Sequence, residues 1–328
     1  MSIRIVYLST PEFGVPTLRA MAADDRFDVV GVVTQPDKNA GRGQKLSPPP
    51  VKVAAEELGL RVLQPAKLRD PGAIAAVAEL KPDVIAVAAY GQWIPAEVFD
   101  MPPKRSLNLH PSLLPRHRGA APVMSAILAG DTEVGLTVLF VEDEMDAGDI
   151  FARLSIPLGP EDTTVSVMER LAELAPPFFL DVLVDWVEGK ITPVPQDHSQ
   201  STWFDRIKKD IGLIDWNMPA IEIDRRCRAL TPWPGVYTFF EGNRLQIHQS
   251  KPLLTTDAPA GQNALSMDDV LAISTAEPGT VVAIEQGVAI VTGDGALRVD
   301  VLQLQGRRAL AIEEFIRGQR TFIGSKLG

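Results

Sequence analysis

Ser106–Ile150 reads SLNLHPSLLPRHRGAAPVMSAILAGDTEVGLTVLFVEDEMDAGDI, a strand, a loop, a helix and a second strand in close succession. Ser106–Leu109 is short and alternates apolar with polar residues. His110-Pro111 breaks it, because proline has no N–H and restricts the residue before it. Val123–Ala129 has helical character, and Gly135–Val141 is β-branched and apolar, which suits a buried strand. Asp146-Ala147-Gly148 then turns the chain. If the two strands are neighbours, their ends bring Asn108, His110 and Asp146 together at one edge of a sheet. In open α/β sheets, ligands sit at the carboxyl ends of strands.

These three side chains suit one kind of chemistry. Histidine changes charge near neutral pH. A carboxylate within reach orients the imidazole and favours its protonated form. An asparagine amide donates to a developing oxyanion without a charge of its own to tune. Together they stabilise a tetrahedral adduct and move a proton without a side-chain nucleophile, which describes acyl-type transfer to a nucleophile that the substrate brings. Asn-x-His with a distant Asp also arises through packing, so the trio alone leaves the chemistry open.

Outward from this segment the chain alternates strand and helix. Ile3–Leu8 and Phe27–Thr34 are buried strands around a helix, with Thr10 and Pro11 placed as its N-cap and first residue. Val51–Leu58 and Asp70–Glu79 read as helices, and Arg61–Leu63 and Asp83–Ala89 as strands. The alternation predicts a Rossmann-like, doubly wound parallel sheet. No dinucleotide glycine fingerprint follows the first strand, which disfavours a nicotinamide enzyme. Thr163 to about Gly189 is a long amphipathic helix with Val167, Leu171, Leu174, Phe178 and Val182 on its apolar side.

The catalytic domain is expected over 1–189 and a linker over 190–208. The linker is centred on ITPVPQDHSQST (Ile191–Thr202), which is poor in large apolar residues; His198 within it reads as solvated. The second domain, 209–328, carries an Ala220–Leu230 helix and then short β-branched segments. These are Val236–Phe240, Arg244–Ser250, Thr280–Ile284, Gly287–Thr292 and Leu297–Gln303, and they predict an antiparallel barrel. Gly242-Asn243 and Gly293-Asp294-Gly295 are its hairpin turns. Thr255–Pro278 reads as a mobile insertion.

Gln35–Lys52 stands apart. Its glycines and prolines predict an irregular loop. Lys38, Arg42, Lys45 and Lys52 face only Asp37, a basic island in a chain whose formal net charge is −10. Such a segment suits a phosphate-rich partner or serves as a solubilising linker. The overall acidity argues against indiscriminate nucleic-acid binding. One cysteine, Cys227, excludes an internal disulfide and a cysteine-based zinc site. The four histidines lack ligand spacing, and Asp143–Asp149 fails the EF-hand pattern, so no metal is expected. With no signal peptide or long apolar span, a cytoplasmic protein and no membrane partner are expected.

The Ser106–Ile150 motifs resemble the folate-dependent formyltransferase family. The resemblance places Asn108, His110 and Asp146 on the family's catalytic set, and Ser112, Leu113, Leu114 and Pro115 on the loop that contacts folate. His117 departs from it, standing where many relatives carry Trp. STPEFGVPTL (9–18) is similar to the family's opening, and the Tyr90-Gly91 turn falls where the folate pocket is walled. VTQPDKNAGRGQKLSPPPVK (33–52) resembles the loop by which members acting on methionyl-tRNA engage the acceptor arm. That implies tRNA contacts from Arg42, with Lys38 and Lys45 beside it. KKDIGLIDW (208–216), RRCRALTPWPGVYT (225–238) and VTGDGALRVDVLQLQGRRAL (291–310) resemble the family's carboxyl-terminal domain, an OB-like barrel of a kind that often binds nucleic acid.

The resemblance implies formyl transfer from 10-formyltetrahydrofolate to the α-amine of methionyl-tRNA; a monomer is expected, although the barrel edge could dimerise. A formyltransferase or hydrolase for a small amine shares the trio but needs neither basic loop nor barrel. A non-enzymatic RNA-binding module leaves the trio unexplained.

Overall fold

The computed structural model describes residues 2–40, 45–204, 207, 209–254 and 265–328. The chain divides into two compact units. The first comprises Met1–Ala126, Thr132–Leu158 and Ser166–Asp205, and the second Ile127–Asp131, Gly159–Val165 and Arg206–Gly328.

In chain order the strands of the first unit are β1 (Ile3–Ser9), β2 (Phe27–Val33), β3 (Lys38–Ala40), β4 (Lys45–Ser47), β5 (Val62–Leu63) and β6 (Val84–Ala88). They continue with β7 (Ser106–His110), β8 (Arg118–Gly119), β9 (Glu133–Phe140), β10 (Ile150–Pro157) and β11 (Trp203–Phe204). Seven of them form one sheet in the order β10-β9-β7-β6-β1-β2-β5. It is parallel from β5 to β7. Its central strands are apolar along their length because both faces are covered; every residue of β6 is buried. β9 and β10 run antiparallel, so the doubly wound sheet expected from sequence is mixed at this edge.

That reversal changes how the trio can assemble. His110 pairs with Thr137, and Leu107 with Phe140. The carboxyl end of β9 therefore lies beside Leu107, about 10 Å along the strand from His110. Adjacent strand ends cannot bring Asp146 to His110; the 141–149 loop has to fold back.

Further expectations need correction. Thr10 does not cap a helix: its hydroxyl donates to the Tyr90 carbonyl at 2.7 Å, and α1 (Val15–Ala23) starts after a short 3₁₀ turn. The basic segment is not irregular throughout, because β3 and β4 pair as an antiparallel hairpin and Lys52 lies in α2 (Pro50–Glu57). Lys52 Nζ sits 2.9 Å from both Asp37 carboxylate oxygens, and Gln64 Nε2 donates to the same group. Those two donors hold the Asp37 carboxyl below its usual range. Arg42 lies outside the described residues. Lys38 Nζ donates to Gln35 Oε1.

After α3 (Pro71–Ala78), α4 (Ala96–Phe99) and α5 (Pro122–Ala129) comes α6 (Thr164–Val187), whose buried face is Val167, Leu171, Ala175, Phe179, Leu180, Val182 and Leu183. Val182 is buried as expected, whereas Leu174 is 37% exposed and Phe178 only half-buried. The expected stripe advanced by three at Leu174, and Pro176-Pro177 lies at that point in the helix.

The second unit holds α7 (Ala220–Ala229) and an antiparallel sheet of β12 (Val236–Phe240), β13 (Asn243–Leu253), β14 (Val281–Ile284), β15 (Gly287–Val291), β16 (Ala296–Leu304) and β17 (Leu310–Ala311). Its main path runs β12-β13-β16-β15-β14. Among the described residues no pairing joins β12 to β14, so the sheet is open where the sequence predicts a barrel. The first hairpin turn is Glu241-Gly242, one residue earlier than expected. Phe240 pairs Asn243, and both turn residues have positive φ (49° and 74°), as a type I′ turn requires. Met267–Thr275 is a helix, α8, closed by a Ser266/Asp269 capping box rather than part of an open insertion. Cys227 is buried, which pushes its thiol up to about 12. No helix among the described residues is long and apolar enough to cross a membrane.

Gly135 lies where β9 meets β10. A Cβ there would sit 2.0 Å from Leu154 O and 2.6 Å from Leu113 Cδ2. Gly135→Ala is expected to destabilise the chain by about 1–3 kcal/mol through overpacking. Gly72→Ala, with nothing within 4 Å, should not; thermal melting of both variants separates them.

Candidate functional site

The Asp146 carboxylate is where the trio meets. Its Oδ2 accepts from the backbone N–H of Gly119 at 2.9 Å. Its Oδ1 accepts from Asn108 Nδ2 at 3.4 Å and lies 3.5 Å from His110 Nδ1. The other ring nitrogen of His110, Nε2, is 3.0 Å from the His117 carbonyl oxygen. Both ring nitrogens thus face acceptor oxygens. His110 and Asp146 are almost fully buried, so little water screens the pair.

Each member is delivered by a different device. Asn108 lies inside β7, paired with Val87 on one side and Leu139 on the other. His110 ends β7, where Pro111 stops the ladder. Asp146 reaches them from the turn after β9 and adopts a φ of 54°. A left-handed conformation costs an L-residue roughly 1–2 kcal/mol, with Asp among the types that visit it. Gly148 lies so close to β9 that a Cβ would come within 2.3 Å of Phe140 O.

The Ser112–Pro115 loop is pinned from beneath. Thr137 Oγ1 donates to Ser112 O at 2.6 Å and accepts from Leu114 N at 3.2 Å. Arg153 Nε donates to Leu114 O at 2.8 Å. The Ser112 hydroxyl donates to Arg116 O, and Leu114 packs with Leu139 and Ile150. Ser112 and Leu114 therefore face inward, while Leu113 and Pro115 remain half-buried. The Leu114–Pro115 peptide is cis.

Several groups here carried no signal in the trio's spacing. Gly119 presents its N–H to Asp146 with a φ of 102°, and a Cβ would lie 2.7 Å from Phe204 O. Arg118 is 1% exposed, and its guanidinium donates to Glu144, Gln196 and His198. His198, read from sequence as merely solvated, accepts from Arg118 through Nδ1 at 3.0 Å. His117, the residue that departs from the expected Trp, is buried with Nδ1 2.8 Å from Ser125 Oγ. Among the described residues no cluster of His, Cys, Asp and Glu is able to hold a metal ion.

Thr137→Val keeps the shape of the side chain but leaves the Leu114 N–H without its buried acceptor. It is expected to lower stability by about 1–3 kcal/mol, which urea denaturation reads directly.

Comparison with known proteins bears on this geometry. Residues 3–183 match the family described as formyl transferase, and residues 206–320 match the formyl transferase carboxyl-terminal domain. The chain is 43% identical over 328 residues to a methionyl-tRNA formyltransferase of Roseiflexus castenholzii, covering 100% of both chains. It is 37% identical to one of Geobacter sulfurreducens, over 99% of this chain and 97% of that one. Among solved structures, HypX from Aquifex aeolicus in complex with tetrahydrofolic acid superposes with a TM-score of 0.61 at 20% identity, over 98% of this chain and 48% of that one. An N-formyltransferase from Helicobacter canadensis, in complex with folinic acid and dTDP-3-aminofucose, gives 0.64 at 17% identity, over 91% and 98%. At these identities the two superpositions speak to fold.

Proposed function

The chain belongs to the formyl transferase family, and from that premise we propose that it formylates the free α-amine of methionyl-tRNA, giving N-formylmethionyl-tRNA for translation initiation. The formyl donor is 10-formyltetrahydrofolate, which supplies an activated one-carbon unit on a nitrogen leaving group. The observation that carries the reading is the convergence of Asn108 and His110 on the Asp146 carboxylate, in a chain that matches methionyl-tRNA formyltransferases end to end.

The residues divide the work as follows. An unperturbed α-amine titrates near pH 7.7–8.0, roughly the working range, so much of it is neutral and nucleophilic. As it adds to the formyl carbon, negative charge develops on the formyl oxygen. Asn108 Nδ2 keeps one N–H beyond the one given to Asp146, and His110 Nε2 would exchange the His117 carbonyl for the formyl oxygen, so both can donate to that charge. Asp146 orients His110, and can accept the proton that the attacking amine must lose. Collapse returns the electron pair to the donor nitrogen, which takes up a proton. Leu113 and Pro115, half-buried beside this site, offer apolar surface to the folate ring system.

The basic segment and the second unit are the tRNA-facing parts of this reading. Lys52 is committed to Asp37, so the free attraction to phosphate falls to Arg42, with Lys38 and Lys45 on the flanking strands. The second unit acts as an OB-like module for the tRNA body, consistent with its antiparallel sheet. The trio and the groups bracing it come from a single chain, which suits a monomer, and the substrates are those of the cytoplasm.

Labelled formyl donor offered with charged initiator tRNA, charged elongator tRNA or small amines should formylate initiator methionyl-tRNA. His110→Ala or Asp146→Ala should reduce turnover by at least about 10²–10³-fold while the protein stays folded. Wild-type turnover in either variant defeats the assignment.

Arg42→Ala should raise KM for methionyl-tRNA and flatten its salt dependence by about one ion, leaving formyl-donor binding intact. Unchanged tRNA kinetics in that variant would point to a small amine as the acceptor instead.

A further inference from the structure

Residues 194–204, placed by sequence in a linker, return along the Asp146 turn. Val194 exchanges two backbone hydrogen bonds with Ile150, at 2.8 and 2.9 Å. Thr202 Oγ1 accepts from His117 N, Thr202 O accepts from Arg118 N, and β11 pairs with β8. Between these two stitches sits Gln196, 6% exposed.

Every hydrogen-bonding group of its carboxamide is engaged. Nε2 donates to Asp146 O at 2.9 Å and to Gly148 O at 2.8 Å, while Oε1 accepts from Arg118 Nη2 at 2.8 Å. Chemistry fixes the amide's orientation. Two carbonyls can only accept and a guanidinium can only donate, so the flipped amide would lose all three bonds. The bonds also close a ring. Gln196 holds the Asp146 backbone, the Asp146 side chain binds Gly119 N, and Arg118, next in chain to Gly119, returns to Gln196.

We propose that Gln196 is a positioning residue for formyl transfer, its amide clamping the Asp146–Gly148 turn in the left-handed conformation that aims the carboxylate at Asn108 and His110. The inference rests on the reading that Asp146 serves the reaction. The contacts at stake are sensitive ones. Asp146 Oδ1 stands 3.4 Å from Asn108 Nδ2 and 3.5 Å from His110 Nδ1. A small rotation of the turn breaks both, and misplacement of a reacting group by about 1 Å can cost about 10²-fold in rate.

The test is a double-mutant cycle on the full-length protein. Gln196→Leu removes the clamp. Gln196→Glu keeps an acceptor for Arg118 but sets an oxygen against two carbonyls, and it carries the measurement if the leucine variant fails to fold. Both should lose about 10–100-fold in kcat, with KM for formyl donor and methionyl-tRNA little changed. In an Asp146→Asn background the same substitutions should cost almost nothing further, because they act through that carboxylate.

Full multiplication of the two losses would mean general structural damage and overturn the proposal. So would wild-type kcat in both Gln196 variants while Asp146→Asn is impaired. Wild-type turnover in Asp146→Asn alone would instead overturn the functional reading beneath it.

Discussion

A buried carboxylate must find its hydrogen-bond donors inside the protein. Asp146 finds them in the Gly119 backbone, the Asn108 amide and the His110 ring. Two of the donors lie on β7 and the third on β8, and each is positioned by something that cannot move cheaply. Asn108 is held by ladders on both sides of β7. Gly119 is fixed by a conformation and a clearance that only glycine tolerates. The price of gathering them is a strained backbone at Asp146 itself. Strain of this kind persists where surrounding structure over-determines it, and here the surroundings are the 194–204 segment and the close approach of Gly148 to β9.

The antiparallel edge explains why such a segment is needed. In an all-parallel sheet the polar ends of adjacent strands point the same way, and side chains following them meet without further help. β9 runs against β7, so its end lies beside Leu107 and the loop after it must double back. A returning loop has no ladder of its own to hold it. Gln196 supplies side-chain donors where backbone donors are lacking, and the Val194–Ile150 pairing anchors the far side of the turn. Thr137 does the equivalent for the Ser112–Pro115 loop, one hydroxyl serving a carbonyl and an N–H that would otherwise be stranded.

Sequence reading succeeded where composition and periodicity dominate. β1, β2 and β6 are legible because buried parallel strands are apolar throughout. The trio's residues were singled out through the family resemblance of the Ser106–Ile150 segment, since Asn-x-His with a distant Asp also arises through packing. What could not be read depends on distant partners. Nothing local says that Gln196, in a proline- and serine-rich stretch, buries its amide against residues about fifty positions earlier. His198 is exposed, as read, but its contact with Arg118 was hidden for the same reason. The stripe on α6 was misregistered because a step of three and a step of four are both helical, and only packing chooses Ala175 over Leu174. The β3–β4 hairpin was obscured by flanking glycines and prolines, which mark turns without excluding short strands on either side of them.

Charge supplies the remaining constraint. A chain with a formal net charge of −10 repels a polyanion at long range. Screening shortens that repulsion to about 10 Å at 0.1 M salt. A phosphate-bearing acceptor is therefore guided by local charge once it is near. Lys52 contributes little, because Asp37 lies within 2.9 Å of it and Gln64 secures that carboxylate in place. This pair does structural work instead, tying the start of α2 to the base of the β3–β4 hairpin. Net acidity and a polyanionic substrate are compatible under such screening. The acidity discourages indiscriminate contacts and leaves the substrate's phosphates to be met by local charge.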